Sequence, residues 1–292
     1  MTLLNEMAET RRLINAELDK LLPIPMTRDA RVIEAMRYSA IGTGKALRPF
    51  LIMTIGKILN VPRTTLLRIG SAIEMLHTFS LIHDDLPAMD NDVLRRGKPT
   101  NHVQFDEATA ILAGDGLQAK AFEILAAPET HSNPAVRSDL VLALAQATGE
   151  MIGGQVMDLI GEKSPLSLDE IKQMQAMKTG ALLHFSCLAS AIAAQADEEI
   201  KKSLTEYAYV IGLMFQITDD ILDVEGTTEA VGKTLGKDQN AHKSTFVSTL
   251  GLDKAKEMVQ ELKKKGEAAL APFGEKANLL RELLTFIIER DK

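Results

Sequence analysis

The sequence predicts an all-α protein, and two patterns carry that prediction. Apolar residues recur at the three- and four-residue spacing of amphipathic helices along almost the whole chain. No stretch has a convincing alternation of apolar and polar residues, which is the pattern of a half-buried β-strand. Proline, glycine and short polar clusters interrupt the helical pattern and divide it into separate helices. A bundle of about ten or more helices is therefore expected.

The composition favours one folded domain. The chain has 292 residues, of which 46% are hydrophobic and 25% are charged, as in ordinary globular proteins with a large buried core. Neither a linker-like change in composition nor a low-complexity tract divides the chain, so a single domain over residues 1–292 is expected. The net charge of −7 argues against nucleic-acid binding, because phosphate backbones select basic surfaces.

Three features bear on the cellular compartment. The single cysteine, Cys187, cannot form an intramolecular disulfide, and its apolar surroundings predict a buried side chain rather than a reactive thiol. Residues 1–20 mix acids and bases and lack the apolar block of a signal peptide. The most apolar stretch, Gly180 to Ala196, is interrupted by a histidine and two serines and falls short of a transmembrane span. A cytoplasmic protein without stable membrane insertion is expected.

Proline and glycine separate the helices predicted in the first part of the chain. In chain order these helices run to about Asp19, from about Arg28 to Ile41, from Leu47 to Asn60, from Thr64 to Leu86 and from Phe105 to Ala126. Pro87 ends the fourth helix, and a basic, polar loop from Asn91 to His102 follows it. Because the fourth helix is apolar on all sides, it is expected in the middle of the bundle.

The second part of the chain is also predicted to be helical. Helices are expected over about Ala135 to Ile160, Leu168 to Ala194 and Glu198 to Val224, with Gly180 as a candidate break. The segment from Glu225 to Lys243 is rich in glycine, lysine and polar residues. Two or three further helices close the chain.

Two clusters of aspartates interrupt helices that otherwise belong in a core. The first follows the apolar run that ends at Ile82, and the second follows the run that ends at Ile217. Their members are Asp84, Asp85 and Asp90 in the first cluster and Asp219, Asp220 and Asp223 in the second. An unpaired carboxylate in an apolar environment costs several kcal/mol, so each cluster is expected to need a cation.

The spacing and chemistry of these aspartates favour Mg²⁺. Asp219 and Asp223 lie four residues apart and share one face of a helix. Asp90 can return towards Asp84 after the loop at Pro87. Oxygen ligands with no cysteine and no dense group of histidines favour Mg²⁺ over zinc, and Mg²⁺ completes its shell with water and phosphate oxygens. Helix caps or solvated acidic turns remain the alternative, although two such clusters in apolar helices favour metal binding.

Cationic residues near both clusters are candidate phosphate ligands. Lys45 and Arg48 lie three residues apart at a predicted helix start, where backbone N–H groups also attract an anion. Arg95 and Arg96 directly follow the first cluster, and paired arginines suit bidentate phosphate contacts. Three lysines follow the second cluster among glycines that would let the segment close over phosphates: Lys233, Lys237 and Lys243. Solvated surface charge is the alternative for each of these groups.

Four residues outside the charged clusters complete the candidate site: Lys178, Thr179, Gln216 and His77. Gln216 lies three residues before Asp219, one turn deeper on the same helix, so its amide dipole can face a developing positive charge. His77 lies seven residues before Asp84 on nearly the same helix face. A core histidine with a hydrogen-bonded neighbour is the alternative for His77.

Five motifs in a fixed order resemble those of the trans-prenyl diphosphate synthases. They are GKxxRP at 44–49, DDxxxxD at 84–90 followed by Arg-Arg-Gly-Lys-Pro-Thr, Gly153-Gly154-Gln155 with Asp158, Lys178-Thr179-Gly180, and FQxxDDxxD at 215–223. The resemblance covers nearly the whole chain, and the two extra residues in the first aspartate motif resemble the bacterial short-chain synthases. It implies an isoprenoid synthase-like, all-α fold around a deep central cavity, and a homodimer.

This resemblance also implies a reaction. Isopentenyl diphosphate would condense head to tail with an allylic diphosphate (dimethylallyl or geranyl) after the allylic substrate ionises to a carbocation, and a proton would then pass to the released diphosphate. Several Mg²⁺ ions at the six aspartates would bridge to the substrate diphosphate. By resemblance, isopentenyl diphosphate is bound by Lys45, Arg48, His77 and Arg96. The allylic diphosphate is bound by Arg95, Lys178, Lys233 and Lys243, and the carbocation is faced by Thr179 and Gln216.

The helix that ends at Asp84 is expected to set the length of the product. One helical turn is ~5.4 Å, close to one isoprene unit, so a bulky residue near this end limits the chain. An aromatic residue five positions before the first aspartate, here Phe79, resembles the pattern of synthases that form farnesyl diphosphate (C15). A small or aliphatic residue there resembles the geranylgeranyl (C20) pattern. Straight-helix spacing places Ser80 beneath Asp84, so Phe79 must swing its ring to reach the tunnel, and a plain core phenylalanine is the alternative.

Two other functions remain open. A terpene cyclase also ionises an allylic diphosphate with Mg²⁺, but it needs no second diphosphate site such as Lys45, Arg48 and Arg96 would form. A non-catalytic subunit that dimerises with an active synthase could lose an aspartate cluster, whereas this chain keeps both. A C15-forming prenyltransferase is expected, with a C20 product as the second choice.

Overall fold

Helices form nearly all the regular structure in the computed structural model, which describes residues 2–42, 44–161, 163–225 and 245–289. The first of them are α1 (Leu3–Leu21), α2 (Ala30–Ala40), α3 (Leu47–Ile58), α4 (Arg63–Asp84), α5 (Asn101–Gln104) and α6 (Glu107–Ala126). They continue as α7 (Pro134–Gly161), α8 (Leu168–Gln175), α9 (Ala181–Ala193), α10 (Glu198–Glu225), α11 (Phe246–Leu250), α12 (Leu252–Ala269) and α13 (Asn278–Glu289). A π-helical turn, Ala176–Gly180, joins α8 to α9, and a 3₁₀ segment, Ala271–Ala277, precedes α13.

The predicted all-α class is confirmed, and the long helices begin and end within about two residues of the predicted positions. The start of α6 illustrates how local chemistry fixes such a boundary. The Asp106 carboxylate accepts a hydrogen bond from the Thr109 backbone N–H at 2.7 Å and so caps the helix. The Arg31 guanidinium, 2.7 Å from this carboxylate, together with the cap lowers the pKa of Asp106 to about 2.

A short β-hairpin lies within the stretch that was predicted to be a loop. Strands β1 (Leu94–Arg95) and β2 (Lys98–Pro99) pair in antiparallel fashion. Between them, Arg96 and Gly97 have φ angles of 53° and 76°, as a two-residue hairpin turn requires. Each strand is only two residues long, so no alternation of apolar and polar residues could reveal it in the sequence.

The chain divides into two compact units. The N-terminal unit comprises Met1–Leu144 and Ala189–Gln195, and the C-terminal unit comprises Ala145–Leu188 and Ala196–Lys292. Helices α7 and α9 therefore contribute residues to both units. A single domain over residues 1–292 stays a prediction, as does the deep central cavity.

Helix α4 forms the core of the N-terminal unit, where it packs against α3 and α6. All eight consecutive residues of the run Ile69–Leu76 are buried, so the prediction that this helix is buried on all sides is confirmed. Gly56 of α3 lies so close to α4 that an added Cβ would be 2.1 Å from a methyl carbon of Leu66. This close contact fixes the helix that carries the first aspartate cluster at its carboxyl end.

Helix α10 plays the same part in the C-terminal unit, where it packs against α12 and α13. The Tyr207 side chain is fully buried, and its hydroxyl donates a hydrogen bond to the Leu280 carbonyl at 2.9 Å. Cys187 lies buried in α9, and burial raises the pKa of its thiol. The prediction of a buried cysteine is therefore confirmed.

One stretch of the described residues, Leu168–Ala193, is long and apolar enough by composition to cross a membrane. The sequence predicts that the overlapping stretch Gly180 to Ala196 falls short of a transmembrane span. Of the 18 consecutive residues with the highest hydropathy in this stretch, 56% are buried inside the protein, which is typical of a core helix.

Candidate active site

The first aspartate cluster lies where α4 ends. Asp84 is the last residue of the helix, and Asp85 follows it as the C-cap residue. The backbone N–H of Asp90 donates to the carbonyl of Asp84 at 2.9 Å, so the loop through Pro87 turns back onto the helix end. Asp85 is buried, Asp84 is half-buried and Asp90 is exposed. The three carboxylates therefore meet very different environments within one short segment.

Asp85 is held by Arg95. The Arg95 Nε donates to both carboxylate oxygens at 2.9 Å, and Nη2 donates to Oδ1 at 2.6 Å. Burial raises the pKa of Asp85, and the hydrogen bonds from Arg95 offset this rise only in part. Burial acts to lower the pKa of Arg95, but the hydrogen bond to Asp85 and the negative charges of Asp85, Asp84 and Asp92 together raise it. In this structure Arg95 thus binds a carboxylate, in the place where the sequence predicted a phosphate contact.

The β-hairpin that carries Arg95 and Arg96 is anchored at several points. The Tyr38 hydroxyl of α2 donates to the Pro99 carbonyl at 2.8 Å. The Asn101 amide donates to the Ala35 carbonyl of the same helix, also at 2.8 Å. These bonds fix the two arginines next to the end of α4, in agreement with the short spacing in the sequence.

Arg96 packs against Gly44, at the start of the GKxxRP motif. A Cβ added to Gly44 would lie 2.4 Å from Nη1 of Arg96, so a side chain at this position would displace the guanidinium. Ala46, with φ of 48°, turns the chain into α3. Arg48, in the first turn of α3, is half-buried, and Lys45, which precedes the helix, is exposed. Among the described residues the buried Nε of Arg48 has no hydrogen-bond partner. An anion at this corner of the N-terminal unit would supply an acceptor for it.

Glu74 is a candidate site residue that the sequence analysis missed. It is buried on α4, three residues before His77 and so on nearly the same face. Burial raises the pKa of Glu74, while Arg48 and Arg96 oppose that rise. Burial lowers the pKa of Arg48 to about 10, with Glu74 opposing this shift and Arg96 adding to it. A carboxylate inside an apolar run was the signal used for the aspartate clusters, and it would also have identified Glu74.

His77 lies beside these charged groups. Burial, and then the positive charges of Arg48, Arg96 and Arg95, hold the pKa of His77 well below its ordinary value. The imidazole is therefore neutral at neutral pH and can donate one hydrogen bond from one ring nitrogen. A neutral donor among cations suits a phosphate oxygen.

The second aspartate cluster lies near the end of α10. Asp219 is exposed and Asp223 is half-exposed on the same helix face, whereas Asp220 is buried. The Asp220 carboxylate accepts hydrogen bonds from the Gln216 amide at 3.1 Å and from the Phe246 backbone N–H at 2.8 Å. Asp220 therefore orients Gln216 and anchors the start of α11.

Lys178 and Thr179 lie on the π-helical turn. The candidate break at Gly180 is wrong, because the helix continues through this wider turn instead of ending there. The Lys178 ammonium pairs with the Asp158 carboxylate of α7 at 2.6 Å. π-Helical turns are rare and occur frequently at functional sites.

The C-terminal unit contains a cavity of ≈ 150 Å³ that brings several predicted residues together. Its lining includes Asp158, Lys178, Thr179, Gln216 and Asp220. The predicted ligands Lys233, Lys237 and Lys243 lie outside the described residues. The lysine, the hydroxyl and the amide around this cavity can donate hydrogen bonds to an anion, and the two carboxylates hold the lysine and the amide in place.

Phe79 is buried on α4, one turn before His83. Its ring meets the ring of His83 edge to face, with centroids 4.8 Å apart. The His83 Nε2 lies 3.1 Å from the Ile111 carbonyl, and a Cβ on Gly114 would lie 2.2 Å from that nitrogen. The hydroxyl of Ser80 donates to the His77 carbonyl of its own helix at 2.8 Å. His83, to which the sequence assigned no role, therefore supports the ring of the predicted chain-length residue.

The donor set fits Mg²⁺ only together with a phosphorylated substrate. Within the residues that the structure describes, no group of three or more acidic, histidine or cysteine side chains is placed to hold a metal ion by itself. Mg²⁺ commonly uses one or two carboxylates and takes its other ligands from water and substrate phosphates. The carboxylates at the ends of α4 and α10 suit that mode of binding.

An all-α chain in which acidic clusters lie beside cationic groups is typical of enzymes that bind phosphorylated substrates through divalent cations. Comparison with protein families defines the class further. The chain matches the model of the family described as Polyprenyl synthetase over residues 29–280. It belongs to that family.

Known relatives match over nearly their full length. The farnesyl diphosphate synthase of Haemophilus influenzae is 42% identical over 98% of this chain and 97% of the relative. The crystal structure of an FPP/GFPP synthase from Zymomonas mobilis is 44% identical, has a TM-score of 0.90 and covers 98% of both chains. That of a geranylgeranyl pyrophosphate synthetase from Pyrococcus horikoshii is 30% identical, has a TM-score of 0.89 and covers 99% of this chain and 98% of that one. The predicted isoprenoid synthase-like fold is confirmed.

Proposed function

We propose that this prenyltransferase condenses isopentenyl diphosphate head to tail with an allylic diphosphate, dimethylallyl or geranyl, to form farnesyl diphosphate. Relatives named farnesyl diphosphate synthase support this product. The observation that carries the proposal is that each compact unit contains a candidate phosphate site: the basic corner at Arg48 and Arg96 in the N-terminal unit, and the cavity lined by Lys178 in the C-terminal unit. Two diphosphate substrates need two such sites, whereas a terpene cyclase needs only one.

The basic corner of the N-terminal unit is the proposed site for isopentenyl diphosphate, with four ligands: Lys45, Arg48, His77 and Arg96. The buried, unpartnered Nε of Arg48 and the neutral ring of His77 are donors that a diphosphate would satisfy. Glu74 lies behind these groups and opposes their positive charge before the substrate binds. Charge-assisted hydrogen bonds from arginine would then orient the substrate for attack.

The cavity of the C-terminal unit is the proposed site for the allylic diphosphate, with Lys178 as its ligand. Arg95 and the undescribed Lys233 and Lys243 complete this ligand set by resemblance. The Gln216 amide nitrogen donates to Asp220, which leaves the amide oxygen, the negative end of the dipole, to face a carbocation. The hydroxyl oxygen of Thr179 would serve in the same way.

Six carboxylates would hold the Mg²⁺ ions: Asp84, Asp85, Asp90, Asp219, Asp220 and Asp223. Bound Mg²⁺ would neutralise the diphosphate leaving group. For Asp85 to become a ligand, Arg95 must release it and bind phosphate instead, so one ion pair is exchanged for another. This exchange is the step in which Arg95 would change from carboxylate to phosphate binding.

The direct test is chromatography of the products formed from isopentenyl diphosphate and geranyl diphosphate with Mg²⁺. A C15 product supports the proposal, and a C20 product would make the chain a geranylgeranyl diphosphate synthase. A cyclic hydrocarbon formed from the allylic substrate alone would identify a terpene cyclase. Formation of product only after a second protein is added would identify a non-catalytic subunit.

A cytoplasmic homodimer is the proposed state of the enzyme. In the N-terminal unit, Ile111 and Leu112 of α6 and Leu142 of α7 expose large apolar side chains, as a subunit interface would. Light scattering after size-exclusion chromatography tests this proposal. A particle with the mass of a dimer supports it, and a monomer at all concentrations contradicts it.

A further inference from the structure

Gly154 of α7 has a contact that no step of the proposed mechanism explains. A Cβ at this position would lie 2.3 Å from the backbone nitrogen of Lys178 and 2.7 Å from its Cα. Contacts of carbon atoms are favourable only beyond about 3.5 Å, so any side chain at Gly154 would displace the backbone of Lys178 by about 1 Å. The close approach of α7 to the π-helical turn therefore depends on glycine.

Asp158 holds the side-chain end of Lys178. Asp158 lies four residues after Gly154, on the same face of α7, and its side chain is buried. Its carboxylate is 2.6 Å from the Lys178 ammonium. One face of α7 therefore contacts Lys178 both at the backbone and at the charged end.

The π-helical turn also contacts α10. A Cβ added to Gly212 of α10 would lie 3.4 Å from the Cα of Gly180, which is an ordinary van der Waals distance. Glycines of two different helices, α7 and α10, therefore lie against the five residues Ala176–Gly180. This packing limits how far Lys178 and Thr179 can shift.

We propose that Gly154 and Asp158 are positioning residues for the allylic diphosphate: they fix Lys178 and Thr179 against the departing diphosphate. The proposal rests on the proposed function, because it takes Lys178 as a ligand of the allylic substrate. It assigns to the Gly153-Gly154-Gln155 motif a steric role in catalysis, which is to let α7 touch the π-helical turn.

Three glycines of α7 provide a matched series of alanine variants. A Cβ at Gly149 meets nothing within 4 Å, and a Cβ at Gly153 meets only the flexible end of Met177, at 2.7 Å. A Cβ at Gly154 meets backbone. Each substitution is the same change in the same helix, so helix propensity affects all three alike.

The experiment is steady-state kinetics of the full-length chain with geranyl diphosphate, isopentenyl diphosphate and Mg²⁺. We expect Gly154→Ala to lower kcat/KM for geranyl diphosphate by about 10²-fold, because a displacement of this size misplaces the ligand. KM for isopentenyl diphosphate should not change, because its ligands lie in the other unit. Gly149→Ala should behave like the unmodified chain, and Gly153→Ala should lose much less than Gly154→Ala.

Asp158→Asn keeps the shape of the side chain and removes its charge, so it tests the second contact. We expect it to lower kcat/KM for geranyl diphosphate by about tenfold.

Equal kinetics of Gly154→Ala and Gly153→Ala, or a parallel rise of both KM values, would overturn the proposal. If Gly154→Ala does not fold, as judged by circular dichroism, unchanged kinetics of Asp158→Asn would overturn it. An unmodified chain that makes no prenyl product would instead overturn the proposed function, and this inference with it.

Discussion

Single residues at the ends of α4 and α10 are the proposed ligands of a metal–diphosphate complex. Asp85 is buried and paired with Arg95, whereas Asp84 and Asp219 are more exposed. The accessible carboxylates can therefore meet an incoming cation before the Asp85–Arg95 pair opens. This difference within one motif could not be read from the sequence, because it depends on where the β-hairpin places Arg95.

We predict that Asp84→Ala or Asp219→Ala lowers kcat by orders of magnitude while the fold survives. Each change removes a carboxylate that would hold a metal ion. The bound metal would supply several kcal/mol of transition-state stabilisation, and this would be lost. Turnover and circular dichroism measure the two effects separately. Asp253→Ala, an exposed aspartate in the first turn of α12, is the control and should remain fully active. Near-normal turnover in either site variant would remove that carboxylate from the mechanism.

Phe79→Ala should lengthen the product beyond C15, because removing the ring takes away bulk one turn or more below Asp84. Chromatography of the products measures the change. Phe79→Tyr keeps the ring and its contact with His83, so it should still form the C15 product. Unchanged C15 output from Phe79→Ala would mean that another residue limits the chain.

The lowered pKa of His77 predicts how stability depends on pH. The unfolded state binds a proton near the ordinary histidine pKa of about 6.5, whereas the folded state does so only at a much lower pH. Between those values the unfolded state binds more protons, so stability falls as the pH is lowered below about 6.5, by up to about 1.4 kcal/mol per pH unit.

Urea denaturation at pH 8 and at pH 5.5 measures this effect. His77→Gln, which cannot be protonated, should lose less stability between the two pH values than the unmodified chain. An identical loss in both proteins would show that His77 does not contribute to the pH dependence.

At the scale of helices and strands, the sequence was informative wherever a pattern spans many residues. The long apolar run of α4 and the carboxylates that interrupt the apolar runs of α4 and α10 are visible in the sequence, so their positions could be predicted. The β-hairpin and the π-helical turn could not, because two residues per strand and one widened turn leave no periodic signal. Glu74 carries the same signal as the aspartates, a carboxylate within an apolar run, but the charges that act on it, Arg48 and Arg96, are distant in the sequence.

Close contact between helices gives a prediction at this scale. Gly56→Ala in α3 would put a Cβ 2.1 Å from a methyl carbon of Leu66 in α4. Overpacking of this kind costs about 1–3 kcal/mol, so chemical denaturation should show a lower free energy of unfolding. Gly149→Ala, which has open space around it, should leave stability unchanged or raise it by up to about 1 kcal/mol. Equal stability of the two variants would contradict the tight contact between α3 and α4.

At the scale of the whole molecule, a protein with a net charge of −7 must bind two polyanionic substrates. The structure concentrates cations locally: arginines and a lysine lie at one corner of the N-terminal unit, and Lys178 lines the cavity of the C-terminal unit. Under the proposed function, divalent cations at the acidic clusters would supply the remaining positive charge for phosphate. Affinity for the substrates should therefore depend on both the local cations and the bound metal.

The central claim is that the aspartates of α4 and α10 act on the same diphosphate through shared divalent cations. The most direct measurement is a crystal structure with inorganic diphosphate and Mn²⁺ in place of Mg²⁺, with the metal positions taken from anomalous scattering. We predict Mn²⁺ ions at the cluster of Asp84 and at the cluster of Asp219. Ions at both clusters should contact the same diphosphate. Metal ions at only one cluster, or a diphosphate that contacts neither, would contradict this account.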